Sequence, residues 1–420
     1  MKKVLILFIV GVLLSTYSFS YADGDLDLVG EGVILMDMDT GEVLYEKNSN
    51  SQFYPASTTK IMTAILALEK GNMDDIVTID QEVVNLTSGS HIALEPGEQM
   101  SLEHLMQALL VESANDAALA IAKYVSGSIE EFSKLMNQKA KEVGALNTNF
   151  VNPNGLPNED HKTTPYDLAM MARYAMKNEK FRSIVGNYTY TIPVTNKKSE
   201  TRYLKSSNRL LYSNEKIDVD GKTTPIKYDG VNGVKTGYTV AAQQCLVTSF
   251  EKDGHKLIAV VLKSTGKNVY SDTHKLLNYG IENFEKVKIS FANRFVDNFN
   301  VNKGVIPFVA GVTKTDSYFI VRKDQKSKVE EKFTANKTID APISKGQVLG
   351  KVEYLLDGKV IAETDIVSTM DIEMIPSPNI FKSILSKWYI LILIALVFGR
   401  IVALNKRKRR QRRRTSLYRI

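Results

Sequence analysis

The 420-residue chain is 44% hydrophobic and 24% charged, which excludes a disordered protein and allows two or three folded domains. Its formal net charge of +7 comes from its two ends. Without Lys2, Lys3, Arg400 and the nine basic residues from Lys406 onward, the Lys plus Arg count falls from 54 to 42, against 47 Asp plus Glu. The body is therefore mildly acidic, and we expect no nucleic-acid partner.

Residues 1–22 are predicted to be a signal peptide. Lys2 and Lys3 precede an apolar run, and small residues stand at Ser20 and Ala22, where cleavage would occur. The alternative is an uncleaved anchor, but the apolar run is shorter than the roughly 20 residues that a membrane span needs.

Residues 23–286 are predicted to form one domain of the α/β (α+β) class. Strand-type runs stand at both ends of this segment and helical periodicity fills its middle, which predicts an antiparallel sheet covered by helices, with an inserted helical lobe. In chain order, the predicted elements are a hairpin at 32–38 and 42–45, a helix opened by Ser57, two helices between 102 and 125, a helix around 168, strands at 233–240, 245–250 and 257–262, and a helix from 272 to 284. The single cysteine, Cys245, excludes an internal disulfide and is expected to be buried.

Residues 287–371 are predicted to form a small all-β domain. Helical periodicity disappears here, and strand-type runs stand at 305–309, 318–321, 348–354 and 360–366. Pro307 limits the first of these runs to a sheet edge, because proline has no N–H to donate. Residues 372–387 contain Pro376 and Pro378 and are predicted to be a linker.

The C-terminal segment is predicted to anchor the chain in a bacterial cell membrane. Residues 388–404 are apolar apart from Arg400, and residues 405–420 form a strongly basic tail. Since basic residues stay on the cytoplasmic side, we expect a single transmembrane pass with a cytoplasmic tail and an extracytoplasmic body. Because the apolar run is short, a helix lying in the membrane surface is the alternative.

The first of three short motifs is Ser57-Thr58-Thr59-Lys60. Residues three apart share one helix face, so Lys60 can reach the Ser57 hydroxyl and, if neutral, accept its proton. Burial and nearby cations would have to lower the pKa of Lys60 for that role. Backbone N–H groups at the helix N-terminus suit a developing oxyanion. Taken alone, the motif equally fits a capped helix with a solvated lysine.

The second motif is Ser113-Ala114-Asn115, which interrupts two predicted helices. A serine there can relay a proton, and an asparagine can donate a hydrogen bond to a substrate carbonyl.

The third motif, Lys235-Thr236-Gly237, lies within a predicted strand, where alternation places Lys235 and Gly237 on one face. A hydroxyl and an ammonium on a strand suit a terminal carboxylate, and glycine lets a ligand lie along the strand.

The order and spacing of the three motifs are the signature of penicillin-recognising serine enzymes. The stretches 54–60, 152–156 and 233–237 resemble those of the D-alanyl-D-alanine carboxypeptidase family of low-molecular-mass penicillin-binding proteins. The resemblance covers residues 28–284 well, extends loosely through the β domain and includes the C-terminal anchor. It implies the penicillin-recognising, β-lactamase-like fold for the first domain.

The resemblance also implies an activity and its residues. The enzyme would remove the terminal D-alanine from peptidoglycan stem peptides through an acyl-enzyme, and β-lactam antibiotics would acylate the same serine. Stem peptides and lipid-linked precursors would be its partners in cell-wall synthesis, and neither a metal nor another cofactor is required. The resemblance implies that Ser57 is the nucleophile, Lys60 the general base and Ser113 a residue that assists proton transfer. Asn115 would orient the substrate, Lys235 and Thr236 would bind its carboxylate, and Gly237 would also belong to the substrate-binding site. Backbone N–H groups of Ser57 and Tyr238 would donate hydrogen bonds to the oxyanion. Arg209 is a candidate for a further cation at the carboxylate.

Three alternatives remain open on the sequence. A class A β-lactamase shares the three motifs, but that class usually has Asp where this chain has Ala114, and it needs neither a β domain nor an anchor. A DD-endopeptidase uses the same machinery on cross-links. A non-catalytic wall-binding protein would not require both Ser57 and Lys60.

Overall fold

The computed structural model describes residues 26–325, 328–335, 338–376 and 386–415. The chain divides into two compact units, one of residues 26–289 with Tyr318–Val329, the other of Ser290–Ser317 with the residues from Glu330 onward. The predicted signal peptide, most of the predicted linker (377–385) and the last residues of the predicted tail (416–420) lie outside the described residues.

Five of the α-helices in the described part of the chain begin at residues whose side chains accept from free backbone N–H groups. The Thr164 hydroxyl, for example, accepts from Asp167 N–H, with Pro165 at the first helical position. Short 3-10 turns lie at Ala56–Thr59 and Arg209–Leu211, and a π-helical turn lies at Ala108–Glu112. The α-helices of the described residues are α1 (Lys60–Lys70), α2 (Gln81–Leu86), α3 (Leu102–Gln107), α4 (Asn115–Ser126), α5 (Ile129–Glu142), α6 (Pro165–Ala175), α7 (Glu179–Val185), α8 (Asn268–Asn283) and α9 (Trp388–Thr415).

Tight two-residue turns join two of the strand pairs. Asp253 and Gly254, and likewise Asp357 and Gly358, have positive φ at both positions, as two-residue hairpin turns require. The strands of the described residues are β1 (Gly32–Asp37), β2 (Val43–Lys47), β3 (Ile76–Thr78), β4 (Gln99–Ser101), β5 (Thr189–Ile192), β6 (Arg202–Lys205), β7 (Lys216–Val219), β8 (Lys222–Pro225), β9 (Val231–Thr239), β10 (Gln243–Lys252), β11 (His255–Ser264), β12 (Phe284–Ser290), β13 (Phe295–Asn302), β14 (Phe308–Thr313), β15 (Ser317–Arg322), β16 (Val329–Ala335), β17 (Thr338–Asp340), β18 (Val348–Leu356) and β19 (Lys359–Ser368).

The first unit is built on a five-stranded antiparallel sheet in the order β2-β1-β11-β10-β9. Strands from both ends of the segment form this sheet, as predicted, and the chain between them supplies the helical lobe. Strand β9 lies at the edge of the sheet, so one side of its backbone is not paired within the sheet. That edge carries Lys235, Thr236 and Gly237.

Two buried apolar clusters cover the two faces of this sheet. Along β1, Ile34 and Met36 join one cluster while Val33 and Leu35 join the other, because successive strand side chains point to opposite faces. The first cluster includes α1, α4 and α6 of the helical lobe, and the second includes α8. Burial on both faces explains why β10 and β11 are apolar at consecutive positions. Cys245 is buried, as predicted.

The second unit contains a six-stranded sheet in the order β16-β18-β19-β14-β13-β17, which confirms the predicted β character. The predicted strand at 305–309 is wrong in its first half, since β14 begins at Phe308, directly after the proline that cannot donate to a ladder. The predicted strand at 318–321 exists as β15, but it pairs with β12 and clusters with the first unit.

Helix α9 continues beyond the predicted apolar span into the basic tail. Among the described residues, α9 is the one helix that is long and apolar enough to cross a membrane, and its candidate span runs from Trp388 to Gln411.

Candidate active site

Ser57 lies in the 3-10 turn that leads directly into α1, as the spacing to Lys60 predicts. Its side chain is half-buried, and the preceding Ala56 has the strained backbone angle φ +47°. Two glycines let other segments approach this turn closely. A Cβ on Gly155 would lie 1.8 Å from the Ala56 carbonyl oxygen, and a Cβ on Gly237 would lie 3.0 Å from the Ser57 nitrogen. The edge strand β9 therefore lies directly against the backbone of Ser57.

Lys60 is fully buried, and its amine contacts three oxygen atoms. The Nζ atom lies 3.0 Å from Ser57 Oγ, 2.6 Å from Asn115 Oδ1 and 2.8 Å from the Asn154 carbonyl oxygen. A neutral amine has two N–H bonds and one lone pair. Since the amide and carbonyl oxygens can only accept, they engage the two N–H bonds and leave the lone pair for the Ser57 hydroxyl.

The surroundings of Lys60 favour the neutral amine. Burial lowers the pKa of Lys60 well below its usual range, and the positive charge of Lys235 lowers this pKa further, while Asp116 opposes the shift. The condition that sequence reasoning set for a lysine base is thus met by burial and a neighbouring cation.

Ser113 lies at a sharp corner between two helices. It follows the π-helical turn, and its own φ is +66°, a left-handed conformation that is uncommon for serine. The Ala114 N–H closes the turn onto the Ala108 carbonyl at 3.0 Å. Within the described part of the chain, the Ser113 hydroxyl makes no hydrogen bond, so it can bond to a bound substrate.

Asn115 begins α4 and holds a neighbouring loop. While Oδ1 accepts from Lys60, Nδ2 donates to the Ser88 carbonyl at 2.5 Å. The next residue, Asp116, is buried and accepts from the backbone N–H groups of Ile92 and Leu94 at 3.1 Å each. These bonds fix the loop from 88 to 94 beside Lys60, and one N–H of the Asn115 amide remains for a ligand.

Lys235 and Thr236 point to different sides of β9, as the predicted alternation requires. Lys235 is buried, and its Nζ donates to the Thr236 carbonyl at 3.1 Å. Burial lowers the pKa of Lys235 to about 7, against the opposing charge of Glu112. The Thr236 side chain is half-buried at the edge of the sheet.

Ser207 is a residue of the site that sequence reasoning did not single out. Its Oγ lies 2.6 Å from Thr236 Oγ1, and its N–H donates to the Val111 carbonyl at 3.3 Å. Two hydroxyls thus stand side by side at the edge of β9. The segment around Ser207 has no motif or periodicity that would have identified this contact.

Arg209 and Tyr238 are the two remaining residues that the sequence analysis assigned to the site. The Arg209 guanidinium contacts the Glu215 carboxylate and lies 5.8 Å from the centre of the Tyr270 ring, so its charge is engaged there. The Tyr238 side chain is 60% exposed.

His161, also missed by the sequence reasoning, makes a hydrogen bond to the 3-10 turn that contains Ser57. Val151 N–H donates to Nδ1 at 3.0 Å, so the ring proton lies on Nε2, which is 2.9 Å from Thr59 Oγ1. Burial lowers the pKa of His161 to about 4, so the ring is neutral near pH 7. Among the described residues, no three His, Cys, Asp or Glu side chains are placed to hold a metal ion.

Two protein families match this chain, one for each of its two main segments. The family described as D-alanyl-D-alanine carboxypeptidase matches residues 21–266, and the family described as penicillin-binding protein 5, C-terminal domain, matches residues 284–374. The D-alanyl-D-alanine carboxypeptidase DacF of Bacillus subtilis is 36% identical over 403 residues, which cover 92% of this chain and 99% of the relative.

Solved structures are similar as well. Penicillin binding protein 5 from Haemophilus influenzae aligns with a TM-score of 0.69 and 29% identity, covering 84% of this chain and 99% of that protein. A point mutant of the DD-transpeptidase from Streptomyces K15 aligns with a TM-score of 0.55 and 34% identity, covering 61% of this chain and 98% of that protein.

Proposed function

Because this chain belongs to the D-alanyl-D-alanine carboxypeptidase family, we propose that Ser57, Lys60 and Ser113 carry out removal of the terminal D-alanine from peptidoglycan stem pentapeptides. The observation that carries the proposal is the Lys60 amine, which is buried, depressed in pKa and 3.0 Å from a half-exposed serine hydroxyl. The protein is a serine-type hydrolase of the penicillin-binding class.

In the acylation step, Ser57 Oγ bonds to the carbonyl carbon between the two terminal D-alanines. Its proton passes to the Lys60 lone pair, which faces it. When the carbon–nitrogen bond breaks, the leaving amine takes the proton of the Ser113 hydroxyl, and the Lys60 ammonium replaces that proton, which returns Lys60 to the neutral amine. The Ser113 hydroxyl makes no hydrogen bond among the described residues, so it can serve as this relay. An ester on Ser57 and free D-alanine result.

In the deacylation step, water attacks the ester carbon and gives a proton to Lys60. The bond to Ser57 Oγ breaks, and Oγ regains a proton from Lys60, which restores the neutral amine. Penicillin would form the same ester but keep its ring-opened leaving group attached, so that deacylation is slow.

The substrate carboxylate would bind at Thr236 with the charge of Lys235 beneath it. Supporting this, Thr236 shares the edge of β9 with Ser207, and Lys235 is the buried cation behind them. The oxyanion would accept hydrogen bonds from the backbone N–H groups of Ser57 and Tyr238, which flank the close approach at Gly237. The substrate would extend along the edge of β9 as an added strand, oriented by Asn115.

We also propose a membrane placement with the catalytic unit outside the cytoplasm. The support is one apolar C-terminal helix that runs into a basic segment, which favours a cytoplasmic C-terminus. Protease added to intact cells should cleave the catalytic unit and spare an epitope placed after Ile420. Cleavage of that epitope in intact cells would contradict the orientation.

The activity is tested by free D-alanine released from a pentapeptide ending in D-Ala-D-Ala. Full-length protein in detergent should release D-alanine, penicillin should block the release, and the Ser57→Ala variant should release none. Cleavage of cross-linked dimers without release from the pentapeptide would instead identify an endopeptidase. Equal release by the Ser57→Ala variant would overturn the mechanism.

A further inference from the structure

A cavity of about 440 Å³ lies at the end of the five-stranded sheet where β9 turns into β10, and it has no role in the mechanism above. We refer to it as the upstream cavity. Its volume falls within the range of small-ligand sites. The lining residues that matter here are Glu31, Tyr54, Lys162, Ala241, Ala242 and Lys263.

The upstream cavity is connected to the active site through two short stretches of chain. Tyr54 precedes Ser57 by three residues, and its carbonyl oxygen lies 3.8 Å from the Cys245 sulfur at the start of β10. Ala242 N–H donates to the Thr239 hydroxyl at 3.0 Å, which ties the turn to the last residue of β9. The wall of the cavity is therefore continuous with both the nucleophile turn and the edge strand.

The direction of a bound peptide follows from the proposed contacts. With its carboxylate at Thr236 and its scissile carbonyl at the Tyr238 N–H, the peptide runs antiparallel to β9. The residues upstream of the scissile bond then pass Thr239 and continue toward Ala241. Strands advance about 3.3 Å per residue, so the three or four positions from Tyr238 to the cavity correspond to roughly 10 Å, the length of a few upstream residues.

The charges in the upstream cavity favour an anionic group. Lys162 Nζ lies 3.1 Å from the centre of the Tyr54 ring, and among the described residues it forms no ion pair. Lys263 pairs with Glu31 at 2.8 Å, and Glu31 is the one acidic residue in the lining. Two lysines against one carboxylate leave the cavity with a net positive charge.

Lys263 reaches this cavity from a strained, left-handed backbone conformation. Lys263 has φ +53°, and the register between β10 and β11 shifts by one residue at this point, so β11 contains a bulge. A bulge redirects a side chain that regular alternation would place elsewhere. Left-handed backbone in a non-glycine residue is unfavourable and often occurs at functional sites.

We propose that the upstream cavity binds a carboxylate of the stem peptide on the N-terminal side of the scissile bond, with Lys162 as its ion-pair partner. This rests on the proposed function, since it uses the substrate direction along β9. Lys162 is a specificity residue for long substrates and has no part in the acyl transfer.

The test compares three substrates that end in D-Ala-D-Ala. The first is L-Ala-γ-D-Glu-L-Lys-D-Ala-D-Ala, whose γ-linked glutamate has a free α-carboxylate. The second has that carboxylate amidated, and the third is diacetyl-L-Lys-D-Ala-D-Ala, which lacks the first two residues. Each is assayed by D-alanine release with full-length wild type, with Lys162→Met and with the control Lys216→Met, which removes an exposed lysine on β7.

Wild type should have a kcat/KM for the first substrate about fivefold above that for the amidated one, a difference that falls with added salt. Lys162→Met should lose this preference, and Lys216→Met should keep it. Equal losses on all three substrates, or an unchanged preference in Lys162→Met, would overturn the proposal. Failure of the proposed function is a different result, namely no D-alanine release by wild type from any of the three substrates.

Discussion

The Nζ atom of Lys60 lies 2.6 Å from Oδ1 of Asn115. The side chain proposed to orient the substrate is therefore also a direct partner of the proposed base. Because an amide oxygen is neutral, it holds the amine in place without the full negative charge that would keep a proton on it.

Replacing Asn115 with aspartate should move the acylation rate to higher pH. A carboxylate at this distance stabilises the ammonium form of Lys60 and raises its pKa, so the neutral amine, and with it the acid limb of the acylation rate, appears only at higher pH. Stopped-flow acylation by a fluorescent penicillin across pH measures the shift. The Asn115→Ala variant is the control, since it loses the contact without adding charge; an acid limb unchanged in Asn115→Asp would contradict this view of the base.

The wild-type pH profile of kcat/KM should be bell-shaped. The rate rises with pH as Lys60 loses its proton, and it falls as Lys235, whose pKa burial lowers to about 7, loses the charge that attracts the substrate carboxylate. Lys235→Arg should retain the acid limb and lose the alkaline limb, because arginine stays charged. An alkaline limb that persists in this variant would assign it to another group.

His161 should make the protein less stable in acid. Its pKa is about 4 when folded and about 6.5 when unfolded, so below pH 6.5 the unfolded chain binds a proton that the folded chain excludes. The contribution of the neutral ring is complete above pH 6.5 and is lost as the pH falls to 4, by about 3 kcal/mol in the free energy of unfolding. The comparison is urea unfolding of wild type and His161→Gln from pH 7 to 4. The difference in unfolding free energy between wild type and His161→Gln should shrink by that amount from pH 7 to 4. If the unfolding free energies of the two proteins changed in parallel with pH, His161 would not have the lowered pKa.

Gly155→Ala should damage the active site more than a comparable glycine substitution elsewhere. Both Gly155 and Gly254 have positive φ, but an added Cβ meets the Ala56 carbonyl at 1.8 Å in the first and nothing within 4 Å in the second. We expect Gly254→Ala to cost about 1 kcal/mol of unfolding free energy with normal activity, and Gly155→Ala to cost about 3 kcal/mol or more with a large loss of penicillin acylation. Thermal unfolding and acylation rates measure both, and equal effects in the two variants would count against a packed contact at Gly155.

Much of the site could be predicted because its chemistry is local in the sequence. Ser57 and Lys60 are one helical turn apart, and Lys235 to Gly237 alternate along one strand, so spacing alone predicts their relative placement. The Ser207–Thr236 pair and the contact of Lys60 with the Asn154 carbonyl could not be predicted in this way. Each joins segments far apart in the chain through an irregular loop, where no periodic pattern specifies a partner.

The fold, like the site, could be predicted from the sequence only in part. The sheet of the first unit was predictable from its hairpin turns and apolar runs, but helix α5 was not assigned, although Ser128 caps it and Glu131 stands three residues later. Strand β15 was recognised as a strand, but its pairing with β12 was not, since a short apolar run does not specify its neighbour. The predicted domain bounds and the roles of the site residues remain predictions.

The most direct measurement is peptide-mapping mass spectrometry of the full-length protein after reaction with benzylpenicillin. The account predicts one intact penicillin added to the Ser57 hydroxyl, no adduct in Ser57→Ala and very slow acylation in Lys60→Met. An adduct on another residue, or unchanged acylation in Ser57→Ala, would contradict it.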